Sequence, residues 1–106
     1  MKKYIYAIIF APVMASAGNL SDFFKANPDL DNNIAIHTAI SKTSRFEAAG
    51  YARREGGDED ELMASKGDQF AILGFRRLKN SCQYPDAASM LGLNERDCKI
   101  VLSKDI

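Results

Sequence analysis

Phe70-Ala71-Ile72-Leu73-Gly74-Phe75 is the stretch on which the fold class turns, because it is apolar on every side and so carries no periodicity of its own. Such a run is either the buried centre of a helical bundle or a short buried strand. Its surroundings favour the helix. Four acids, Asp58-Glu59-Asp60-Glu61, open the segment and Arg76, Arg77 and Lys79 close it. That is the order in which charges complement the positive start and negative end of a helix. No partner run with strand spacing stands nearby to make a hairpin. Gly67 is a point at which the segment divides into helices over 59–66 and 68–79.

Upstream, Leu30, Ile34, Ile36, Ala39, Ile40, Thr43, Phe46 and Ala49 recur mostly at three- and four-residue steps, which is helical spacing. This amphipathic helix is expected to reach Arg54 or Glu55, with a kink near the poor helix formers Ser41, Thr43 and Ser44. Gly56-Gly57 ends it, since glycine reaches the left-handed conformation common at helix ends. Before it, residues 20–26 read as a short helix capped by Ser21 or Asp22. Asn27-Pro28 then starts the next one, with Asn27 accepting from free N–H groups and Pro28 at the first helical position. Asp29 and Asp31 suit its positive end.

Downstream, Tyr84-Pro85-Asp86 opens another short helix that Gly92 ends. Asn94 caps a last one through about Leu102, with Glu95 and Asp97 in its first turn. The segment Lys99-Ile100-Val101-Leu102 also fits an edge strand. The fold class expected is therefore mostly α, a small orthogonal or irregular bundle of four to five helices. The alternative is α+β with a short C-terminal strand.

The first seventeen residues read differently. Lys2 and Lys3 precede an uncharged run over 4–14, and Ala15-Ser16-Ala17 supplies small residues at a cleavage position, the three parts of a secretory signal peptide. The apolar run is far shorter than the roughly 20 residues that span a bilayer. The expected organisation is a cleaved leader over 1–17 and one small helical domain over 18–106. The product is expected in the periplasm or outside the cell, with no stable membrane insertion after cleavage.

Removing Lys2 and Lys3 from fourteen basic residues, against fourteen acidic ones, leaves a net charge of −2. That argues against nucleic acid as a partner, which demands a basic surface. Export delivers Cys82 and Cys98 to an oxidising compartment, where the one possible pairing can persist. Closing a loop of this length stabilises a chain by about 3 kcal/mol in the chain-entropy account. The C-x-x-C redox spacing is absent. Two cysteines and one histidine do not complete a four-ligand structural zinc site.

No catalytic set emerges. His37 is the only histidine and is accompanied by no nucleophile motif. The run 58–61 lacks the alternating oxygen ligands and turn glycine of a calcium loop. The chain is expected not to be an enzyme and to hold no cofactor or metal. In so small a domain Phe23, Phe24, Phe46, Phe70 and Phe75 are expected in the core. The candidate interface residues are Tyr51 and Tyr84, which are amphipathic, the cations Arg53 and Arg54, and the acids Asp58, Glu59, Asp60 and Glu61. Export, one staple and segregated charge clusters suggest a small protein-binding protein that masks or inhibits an envelope or periplasmic partner. An immunity protein, an inhibitor or a phage-type lysis regulator works in this way. An accessory subunit of an envelope secretion or conjugation apparatus is the alternative. In size, export and a single disulfide the chain also resembles the small acid-stress chaperones, which would imply a periplasmic stress chaperone; its cysteine spacing is much shorter than theirs.

Overall fold

Asn19, not Ser21 or Asp22, starts the first helix. In the computed structural model, which describes residues 18–106, the Asn19 side chain accepts from the Asp22 N–H at 3.1 Å. The Asp22 carboxylate in turn accepts from the Asn19 N–H at 2.8 Å. This reciprocal capping box places Asp22 at the third helical position, inside the helix it was expected to cap. The expected leader over 1–17 lies outside the described residues.

Six helices follow among the described residues: α1 (Leu20–Ala26), α2 (Pro28–Asp31), α3 (Ile34–Glu55), α4 (Glu59–Ser81), α5 (Pro85–Met90) and α6 (Glu95–Ser103). No strand occurs there, so the 70–75 run and the Lys99-Leu102 segment are both helical. Pro28 takes the first position of α2, as its fixed φ allows. Asn27 does not cap through its side chain; its Nδ2 instead donates to the Phe23 carbonyl at 2.9 Å, serving the end of α1.

The amphipathic segment opens later than its periodicity suggests. At Asn33 the backbone is extended (φ −103°, ψ 112°) and the side chain accepts from the Ile36 N–H at 2.9 Å, capping α3. The single turn α2 is thereby cut off, which brings the helix count above the four to five expected. From Ile34, α3 runs unbroken through Ser41, Thr43 and Ser44. Their hydroxyls donate to the carbonyls of His37, Ala39 and Ile40 at 2.9, 2.8 and 2.6 Å. Such bonds to the preceding turn often bend a helix slightly, yet α3 is helical at every residue from Ile34 to Glu55 and the expected break is absent. Gly56, at φ 86°, ends α3 where the sequence placed the stop.

The bend falls instead in α4. Lys66 has non-helical angles (φ −133°, ψ 21°), one residue before Gly67. A Cβ on Gly67 would lie 2.7 Å from the Leu20 nitrogen, so the start of α1 crosses the bend at backbone distance. The Asp68 N–H bonds the Gly18 carbonyl at 3.4 Å. Beyond the bend, Phe70, Ala71, Gly74, Phe75 and Leu78 are buried while Leu73 is 43% exposed. The central run thus has one outward face.

The main core joins Phe23 and Phe24 of α1, Leu30 of α2, Ile36 and Ile40 of α3, Phe75 and Leu78 of α4, Leu93 and Val101. Ala48, Met63 and Phe70 form a smaller cluster, and Leu20 packs against both. Cys82 and Cys98 are bonded, with Cα atoms 5.3 Å apart, a normal separation. The bridge ties the end of α4 to the start of α6. Lys104 reaches Asp29 at 3.1 Å, and its ammonium holds that carboxyl below the usual carboxylate range. A depressed pKa gives stability that is lost as the pH falls through it. On so exposed a pair that loss is small.

Asn94 caps α6 as expected, in a box with Asp97: the Asn94 side chain accepts from the Asp97 N–H at 2.8 Å, and the Asp97 carboxylate accepts from the Asn94 N–H at 3.1 Å. The buried Asp97 also accepts from Asn33 Nδ2 at 3.0 Å, so one carboxylate joins the starts of α3 and α6. Asp97→Ala removes both bonds and is expected to cost about 2 kcal/mol, given about 1.5–3 kcal/mol for hydrogen bonds to a charged group. Urea unfolding of the variant measures it; a change below about 0.5 kcal/mol would show the tie to be idle.

Candidate interaction surface

Phe46 is the aromatic that departs from expectation. The buried face of α3 is set by Ile36, Ala39, Ile40, Thr43, Ser44 and Ala48. Phe46 sits two residues from both Ser44 and Ala48, which at about 100° per residue puts it on the far side of the helix. Its ring is 58% exposed rather than in the core. The guanidinium of Arg77, on α4, lies 5.1 Å from the ring centroid, within cation–π range, and donates through Nε to the Glu47 carboxylate.

These side chains form the wall of a groove of about 370 Å³ between α3 and α4, closed at one side by Leu91. Beside Leu91, Met90 is 87% exposed. Lys42 is at the rim and makes no ion pair among the described residues. Phenylalanine, arginine and methionine are among the residue types enriched at protein interfaces. Spacing sets Phe46 on the apolar stripe, three residues after Thr43, in line with the general pressure to bury every phenylalanine, and the inward turn of Ser44 and Ala48 is what moves it outside. Phe23, Phe24, Phe70 and Phe75 obey that pressure.

Most of the residues singled out from the sequence gather where α3 meets α4. Tyr51 is half-buried, its ring edge-on to Phe70 with centroids 5.9 Å apart and the Lys66 ammonium 5.8 Å from its centre. Arg53 and Arg54 are exposed in the last turn of α3. Asp58 is the N-cap of α4 and accepts from the Glu61 N–H at 3.2 Å. Glu59 and Asp60 both accept from Arg45, at 2.7 and 2.8 Å. Asp60 first, then Glu59, holds that guanidinium still more firmly in its charged form. Of the four acids, one caps a helix, two are shared with Arg45, and Glu61 remains solvated. Tyr84 is elsewhere: it is 60% exposed beyond the end of α4, and the run from Phe70 to Ser81 alone rises about 16 Å.

His37 stacks on Phe24 with ring centroids 4.0 Å apart, and its Nδ1 lies 3.0 Å from Asp31 Oδ1. The nearest hydroxyl on the same helix face, that of Ser41, is engaged with the His37 carbonyl and not with the ring. Among the described residues no three or more His, Cys, Asp or Glu side chains are grouped to hold a metal ion, and no helix is long and apolar enough to cross a membrane. The fold and surface define a small, mostly α bundle closed by one disulfide, with a groove on its α3–α4 face. No protein-family model matches the chain, and no curated protein or solved structure matches it either.

Proposed function

We propose that this is a small exported protein that acts by binding, masking or inhibiting a protein of the bacterial envelope, as an immunity protein, an inhibitor or a phage-type lysis regulator does, and that the Phe46 groove is its working face. The observation that carries this reading is the exposed Phe46 side chain beside the Arg77 guanidinium, where the other described phenylalanines, Phe23, Phe24, Phe70 and Phe75, are all buried. The Cys82–Cys98 bond supports the placement outside the cytoplasm, because such bonds persist in oxidising compartments. Lys42 at the groove rim, which makes no ion pair among the described residues, suits a partner segment that is apolar and carries a carboxylate.

Phe46→Ala separates binding from folding. At an exposed site it is expected to change stability by no more than about 0.5 kcal/mol. Loss of a central aromatic anchor costs about 2 kcal/mol or more of affinity, roughly thirtyfold. Periplasmic extracts passed over the wild-type and Phe46→Ala proteins give the comparison. A protein retained by the first and lost by the second is the expected result. Retention of nothing, or equal retention by both, refutes the reading.

A further inference from the structure

Two carboxylates converge on Gly18. A Cβ built on this glycine would lie 2.6 Å from Asp68 Oδ2 and 3.0 Å from Asp22 Oδ2. An amino nitrogen is about 2.5 Å from the Cβ position of its own residue, from standard bond lengths and angles. The Gly18 nitrogen is therefore within about 5.5 Å of both oxygens. Neither acid has a cation: among the described residues no Lys or Arg forms an ion pair with Asp22 or Asp68. Among the described residues Asp22 accepts from the Asn19 N–H alone and Asp68 Oδ1 from the Gln69 N–H at 2.8 Å, while Asp68 Oδ2 is turned towards Gly18. The Gly18 carbonyl is held by the Asp68 N–H.

We propose that the site formed by Asp68 and Asp22 receives the ammonium group that is created at Gly18 when the leader is removed. The inference rests on the export reading above. Peptidase-catalysed hydrolysis adds water across the Ala17–Gly18 amide. The C–N bond breaks, the carboxylate leaves with Ala17, and Gly18 keeps an amine that takes up a proton at neutral pH. A neutral amide with one donor becomes a cation with three, at the place where two negative charges lack a cation among the described residues. Glycine suits the position because any side chain would push the Asp68 carboxylate aside. The other groups around the cleft do not supply the charge. Ile106, Ile72 and Ala26 line it beside the two acids, the Lys66 ammonium lies over Tyr51, and Lys25 faces the His37 side of α1. Processing would thus fasten the start of α1 to the bend of α4, where Leu20 crosses Gly67.

The test uses the full chain, exported by a bacterial host, and reads two quantities. Intact mass shows where the product begins. NMR of the glycine-labelled protein follows the Gly18 Cα signal and gives the titration midpoint of the free α-amine, for the wild type, for Asp68→Asn, and for Asp22→Asn, which can still accept in the capping box. The expected result is a product beginning at Gly18 whose amine titrates above the ordinary range of about 7.7–8.0, with the midpoint lowered in either variant. A raised midpoint means a stabilisation present in full below the unfolded value and lost as the pH rises through the folded one. The wild type's advantage in thermal unfolding should therefore vanish in alkali. A product that begins elsewhere overturns the export premise. A product beginning at Gly18 whose wild-type amine has an ordinary midpoint overturns the docking itself, whether or not Asp68→Asn can be purified.

Discussion

Gly74→Ala is expected to destabilise the fold by about 2 kcal/mol, although in isolation the change favours a helix. Alanine in a helix interior is worth about 1 kcal/mol over glycine. Here the added Cβ would lie 2.6 Å from Thr43 Oγ1 and 3.0 Å from the Ser44 nitrogen. The second contact is with backbone. Thr43 cannot swing away either, because its hydroxyl is bonded to the Ala39 and Ile40 carbonyls. Relief requires moving α4 off α3 along their principal contact, and overpacking of this kind costs about 1–3 kcal/mol in side-chain terms alone. With backbone in the way we take the upper end, which outweighs the propensity gain. Gly50→Ala provides the control. Its Cβ would meet only the flexible ends of Arg54 and Arg53, at 3.2 and 3.9 Å, so propensity wins and the variant should gain about 0.5–1 kcal/mol. Chemical denaturation of the two variants should move the midpoint in opposite directions. Equal shifts would mean that the α3–α4 contact at Gly74 is not the tight one.

The same contact explains what was legible beforehand. Helical spacing around Ile36 and Ile40, the charge order about the 70–75 run, the Gly56 stop, the Asn94 cap and Pro28 at the first position of α2 are local signals, and the structure follows them. The bend near Gly67 was legible as a glycine, but its cause was not, since the crossing partner Leu20 is distant in sequence. Asn19 and Asn33 were overlooked as caps because serine, aspartate and the following asparagine offered equally good chemistry nearby, and only geometry selects among them. The surface was harder still. Charge and residue type drew attention to 58–61, yet Arg45 is what occupies Glu59 and Asp60, and nothing in local sequence announces a partner on the previous helix. Phe46 could be placed outside only once Ser44 and Ala48 were known to face inward.

Reduction of the Cys82–Cys98 bond, or the pair Cys82→Ser and Cys98→Ser, is expected to cost about 3 kcal/mol, the loop-closure value for a sequence separation of 16. Native structure decides where that loss is felt. α6 has nine residues, too few to be stable alone. Without the bridge it is held by Cys98 and Val101 in the core, by the Asp97–Asn33 bond, and by the Lys79 side chain on the Lys104 carbonyl. α3 and α4 keep their own contacts. Hydrogen exchange should therefore show amides of α5 and α6 losing protection at milder conditions than those of α3 and α4, and uniform loss across all helices would contradict this. Leu91 sits inside the loop that the bridge closes, and it is one wall of the Phe46 groove. Freeing the loop removes that wall while Phe46 and Arg77 stay on their helices. The reduced protein should consequently bind its partner as weakly as a Leu91→Ala variant of the oxidised one, which makes the groove complete only where the disulfide can persist.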